Sequence, residues 1–119
     1  MFRLDDNEET IIKGWPVIIS RPMDGGKVQT NEVAVDYLML PQDELDELID
    51  SIKDDDGSTD AEICRRVVRH VANVSNEDGK IIDYTPALLE RLINRSYVRK
   101  ALVSTYFDVV SGRKAKRKN

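Results

Sequence analysis

The chain is short of the residues that most directly announce chemistry. It has one cysteine, Cys64, and one histidine, His70, in 119 residues. An internal disulfide is therefore excluded, and a zinc site, which needs several Cys or His ligands at set spacings, is not provided for. Cys64 sits among apolar positions of helical spacing, which is the setting of a buried, inert thiol rather than a nucleophile. A lone cysteine also suits a reducing compartment. Aromatic residues make up only 6% of the chain. No run approaches the about 18 apolar residues that a membrane-spanning helix requires. The start, Met1-Phe2-Arg3-Leu4-Asp5-Asp6, turns acidic at once and lacks the basic-then-apolar layout of a signal peptide.

What is plentiful is charge, at 34% of residues against 40% hydrophobic. The net charge of -4 conceals an asymmetry. Residues 1–60 carry 16 Asp/Glu against 5 Lys/Arg, a balance of -11, and residues 61–119 carry 6 against 13, a balance of +7. Such halves either attract one another, within one molecule or between copies, or are solvated faces. A chain of this length buries roughly two-thirds of its unfolded surface and so holds a core without staples. One domain over residues 1–112 is expected, followed by a basic tail at 113–119 without apolar periodicity, read as disordered.

Local grammar predicts an α+β fold, with an N-terminal β-hairpin over about residues 11–40 followed by a bundle of about four short helices. The stretch Ile11–Ser20 is rich in β-branched residues, and Pro16 marks it as an edge strand or a bend. Pro22, Asp24, Gly25 and Gly26 supply turn chemistry, and Val33, Val35, Tyr37 and Met39 alternate along the second strand. A hairpin alone is marginal, so it must lie on the helices or pair with another chain. After Pro41, the spacing of Leu45, Leu48, Ile49 and Ile52 predicts a helix that ends at the acidic run Asp54-Asp55-Asp56-Gly57. A second helix is expected from a Thr59/Glu62 capping box, burying Ile63, Cys64, Val67, Val68 and Val71 and turning Arg65, Arg66 and Arg69 outward, with His70 beside them. Val71–Val74 and Ile81–Ile82 flank an Asn76–Lys80 turn as a minor hairpin or irregular loop. Thr85-Pro86 reads as N-cap and first turn of a third helix with Leu88, Leu89, Leu92 and Ile93. Ser96 caps a fourth that carries Val98, Ala101, Leu102, Thr105, Tyr106 and Val109 and stops at Gly112.

Catalytic and ligand-binding sets do not assemble from this material. Asp54–Gly57 and the loop ending Asp78-Gly79 both miss the EF-hand offsets, and Met23–Lys27 lacks phosphate-loop spacing. No nucleophile–base set stands out, and no cofactor, metal or enzymatic activity is expected. Arg65, Arg66 and Arg69 with the basic tail raise a second reading, a small nucleic-acid-binding regulator. An overall pI near 5.0 and sparse aromatics argue against it.

Taken in order, several segments resemble the tail assembly chaperones of long-tailed bacteriophages. They are Trp15-Pro16-Val17-Ile18, then Pro22-Met23-Asp24-Gly25-Gly26-Lys27, then Val33–Leu40 running into Pro41-Gln42-Asp43-Glu44-Leu45-Asp46-Glu47-Leu48. Val74–Gly79, Tyr84-Thr85-Pro86 with Leu88-Leu89, and Val98–Tyr106 with a Lys-rich, Asn-ended tail follow. The chain departs from that pattern at Val71, where such proteins often carry Trp, and at Asn73, where they often carry Gly. The resemblance implies a non-catalytic protein of the host bacterial cytoplasm that binds the long helical tape-measure protein, keeps it soluble, and hands it to tail tube subunits. In many such phages a ribosomal frameshift near the end of the gene adds a second domain, and Arg113–Lys118 lies where the resemblance would put such a site. Leu88, Leu92, Val98, Leu102 and Tyr106 are the candidate partner-binding stripe, against the alternative that they are the domain's own core.

Overall fold

The computed structural model describes residues 1–4, 9–51 and 58–117, the side chains of Ser51 and Ser58 excepted. Strand β1 (Thr10–Pro22) and strand β2 (Val28–Met39) form a long antiparallel hairpin. Helices α1 (Gln42–Ser51) and α2 (Ser58–Val67) follow, then strand β3 (Val68–Ala72), helix α3 (Pro86–Ile93) and helix α4 (Ser96–Val110). The sheet order is β1-β2-β3. The architecture is therefore α+β, as the sequence predicts, with a third strand added to the hairpin.

The hairpin loop obeys its turn chemistry. Gly25 and Gly26 take φ of 73° and 80°, the left-handed region that side chains disfavour, and the Met23 N–H closes the loop on the Lys27 carbonyl at 2.8 Å. Along β1 the pairing slips once, between Ile12 and Trp15. Gly14 lies in this bulge with φ 67°, and its N–H donates to the Asp36 carboxylate at 2.8 Å instead of to the ladder. The extra residue shifts the phase of β1. Ile12 before the bulge and Trp15, Val17 and Ile19 after it all pack against one core.

Two expectations about the second helix are corrected. It ends at Val67, and Val68 and Val71 lie in β3, with Val71 opposite Val35 and Val68 opposite Tyr37. Arg69 and His70 are consequently strand residues. β-Branched valines lose side-chain freedom in a helix, and the open edge of β2 offers this segment a ladder that no local signal reveals. Thr59 is the second residue of α2 rather than its cap. The acidic run Asp54–Gly57 and Ile52 lie outside the described residues.

The helix ends follow their signals more closely. Thr85 Oγ1 accepts the Leu88 N–H at 3.1 Å, with Pro86 opening α3. Ser96 is the first residue of α4 and Arg95 its N-cap, without a side-chain cap bond, which corrects the reading of Ser96. Gly112, at φ 75°, ends α4. Its N–H reaches the Val109 carbonyl (3.1 Å) and the Arg113 N–H reaches the Asp108 carbonyl (3.0 Å), both bonds of a Schellman motif. Between β3 and α3, Asn76 Oδ1 accepts from the Asp78 and Lys80 N–H groups, and Ile82 N–H donates to Val74 O, a small closed loop.

One core joins the layers. Val17, Val33, Val35, Tyr37 and Leu38 of the hairpin meet Leu45 of α1, Ile63, Cys64 and Val67 of α2, Val71 of β3, Leu89 and Ile93 of α3, and Leu102 and Tyr106 of α4. Side chains of this kind each contribute about 1.5–3 kcal/mol on burial. Among the described residues, no helix is long and apolar enough to cross a membrane.

Candidate functional site

The five residues of the expected partner-binding stripe are spent on the fold. Leu88, Val98, Leu102 and Tyr106 are buried, and Leu92 is half-buried against the core. They form no open groove, because α3 turns Leu88 and Leu92, and α4 turns Val98, Leu102 and Tyr106, into the domain. Tyr106 Oη even serves the strand backbone, accepting the Leu40 N–H (2.9 Å) and donating to the Leu38 carbonyl (3.0 Å).

The other side of α4 faces a cleft. It encloses about 260 Å³ between β1, which contributes Trp15, Pro16, Ile18 and Ser20, and α4, which contributes Ala101, Ser104, Thr105 and Asp108. Lys114 and Lys116 complete its lining. The strand wall is apolar and bulky. The helix wall is built of small side chains at i, i+3, i+4 and i+7, which keeps the space open. The charged lining residues are Asp108, Lys114 and Lys116, of which Lys116 reaches the Asp108 carboxylate at 3.9 Å. Such a volume is at the lower limit for enclosing a small molecule but suits side chains projecting from a polypeptide. The signal in the sequence was the small stripe itself, which apolar periodicity overlooks because it marks the core face instead.

Titratable groups elsewhere are committed to structure. The Cys64 thiol is buried, and burial above all pushes its pKa up to about 12, leaving it protonated and unreactive at neutral pH. His70 is exposed on β3 and packs against Tyr84 at a tilt of 43°, ring centroids 5.3 Å apart. Among the described residues no group of three or more His, Cys, Asp or Glu is placed to hold a metal ion.

The arginines read as a basic helix face are divided. Arg65 pairs with Glu62 and, across the gap to α3, with Glu90 at 2.9 Å. The hydrogen bonds from Arg65 hold the Glu90 carboxyl below its usual range. Arg66 approaches Glu44 of α1 at 3.9 Å, and Arg69 Nη1 donates to the Arg66 carbonyl from β3. These contacts tie α1, α2 and α3 together instead of presenting one cationic surface.

Asn73 has the single positive φ among the described non-glycine residues, 70°, and its Nδ2 donates to the Glu32 carbonyl at 2.8 Å. Asparagine is among the few side chains that tolerate this region. Comparison of the chain with family models, with curated proteins and with solved structures gives no match.

Proposed function

We propose that this chain is a non-catalytic tail assembly chaperone of a long-tailed bacteriophage. In the host bacterial cytoplasm it binds the tape-measure protein, keeps it soluble, and helps to recruit tail tube subunits. The observation that carries the reading is the backbone at Asn73. The family pattern favours glycine there, and this chain bends at that position with φ 70°, a conformation that glycine adopts freely. The matching segments fall in order on β1, the hairpin loop, β2 with α1, the Asn76 loop, α3 and α4.

The β1–α4 cleft is the surface we assign to the partner, in place of the buried stripe. A long amphipathic helix from a tape-measure protein would lay apolar side chains along Trp15 and Ile18 and against the small face of α4. The test is co-expression with the long helical protein encoded beside this chain in its genome. The expected result is that the partner moves from the insoluble to the soluble fraction and co-purifies, and that Ser104→Arg, which fills the cleft, abolishes both. A partner equally insoluble with and without this chain overturns the reading.

A further inference from the structure

After Gly112, residues 113–117 stay on the domain. Residues 113–117, with the sequence RKAKR, turn back along the β1–α4 cleft. Lys114 and Lys116 line it, and Ala115 between them is half-buried. Asp108, whose side chain is only 18% exposed, receives Arg113 Nη1 on one oxygen at 3.2 Å and Lys116 Nζ on the other at 3.9 Å. Arg117 Nη1 reaches the Glu32 carboxylate on β2 at 3.8 Å. Two carboxylates on different elements thus meet a short run of cations, with the half-buried Ala115 in its middle.

We propose that the β1–α4 cleft is a receptor for a basic segment of another polypeptide, Lys/Arg flanking a small apolar residue, and that Arg113–Arg117 is its built-in competitor. The inference rests on the chaperone reading for the choice of surface and adds the chemistry of the ligand and the way access is controlled. Asp108 and Glu32 repel phosphate, so the matching partner is a cationic peptide and not a nucleic acid. The contacts that hold the tail are displaceable. Its cations are 69–79% exposed, and exposed ion pairs are weak and screened by salt. Tethering gives the tail a high effective concentration, so only a partner that adds apolar contacts along Trp15 and Ile18 displaces it.

Trp15 is the chain's one tryptophan and lines the cleft, so its fluorescence reports occupancy directly. The experiment compares the full-length chain with a full-length variant carrying Arg113→Ser, Lys116→Ser and Arg117→Ser, with circular dichroism confirming the fold of each. The probe is a synthetic peptide of residues 111–117, SGRKAKR. Trp15 emission of the unmodified chain should shift to the red between about 20 mM and about 500 mM salt, and the variant should already be red-shifted at the lower value. The peptide should bind the variant about tenfold more tightly than the unmodified chain, and adding Asp108→Asn should remove that gain. Identical Trp15 spectra for the two proteins at low salt overturn the proposal. So does failure of the variant to bind the peptide, or binding that Asp108→Asn leaves unchanged. No tape-measure protein enters this experiment, so its failure is distinct from failure of the chaperone reading.

Discussion

The Tyr37 phenol of β2 donates to the Leu102 carbonyl of α4 at 2.7 Å. One helical turn later the Tyr106 phenol of α4 accepts from the Leu40 N–H and donates to the Leu38 carbonyl of the hairpin. The two rings are 5.4 Å apart and both are fully buried. Each aromatic thus contributes its body to the core and its hydroxyl to the other element's backbone, which fixes the axial position of α4 on the sheet. The β1–α4 cleft exists because of that position.

Removing the two hydroxyls should have unequal costs. In Tyr37→Phe the Leu102 carbonyl keeps its helical partner, so the loss should be about 1 kcal/mol. Tyr106→Phe strips partners from two backbone groups at once, and should cost about 2–3 kcal/mol. Urea unfolding of both single variants and the double variant tests this, and the double should fall short of the sum because the pair acts as one clasp.

Alkaline pH should weaken the fold in a defined direction. Burial raises the Cys64 thiol to about 12 and raises the Tyr37 and Tyr106 phenols as well. These groups therefore keep their protons in the folded state above pH 9.0 for the thiol and 10.0 for the phenols, where the unfolded chain releases them. The unfolded state then binds fewer protons, so stability is whole below about pH 9 and falls as pH rises. Urea midpoints at pH 7.5, 9 and 10.5 should decline in that order. Cys64→Ala should delay the onset, relative to its own value at pH 7.5.

The same burial should shield the thiol from reagents. Iodoacetamide at pH 8 should leave Cys64 largely unmodified in the native chain and label it readily in urea, as mass spectrometry would show.

Asn73 separates a backbone demand from a side-chain bond. Asn73→Ala places an ordinary side chain at φ 70° and deletes the bond to Glu32, and should cost about 2 kcal/mol. Asn73→Gly loses the bond but removes the strain, so its thermal midpoint should stay near that of the unmodified chain.

Much of the local structure was determined by the sequence alone. Thr85-Pro86, Gly112 and Gly25-Gly26 act through bonds and dihedrals within a few residues, so their roles can be read without knowing what lies across the fold. Alternation in β2 and helical spacing in α1, α3 and α4 are legible for the same reason. Tertiary structure decided the rest. Val68–Ala72 became a strand because β2 offered an unpaired edge, and a pairing so distant in sequence leaves no periodic mark. The apolar stripe Leu88/Leu92/Val98/Leu102/Tyr106 was visible as a stripe, but whether it faced a partner or the core depended on where α4 settled. Once Tyr37 and Tyr106 lock α4 to the hairpin, its part of the stripe, Val98, Leu102 and Tyr106, is consumed. The surface outside that core is then the small-residue face of Ala101, Ser104 and Thr105 opposite Trp15, lined also by Lys114 and Lys116, which burial patterns in the sequence do not distinguish from ordinary solvent exposure.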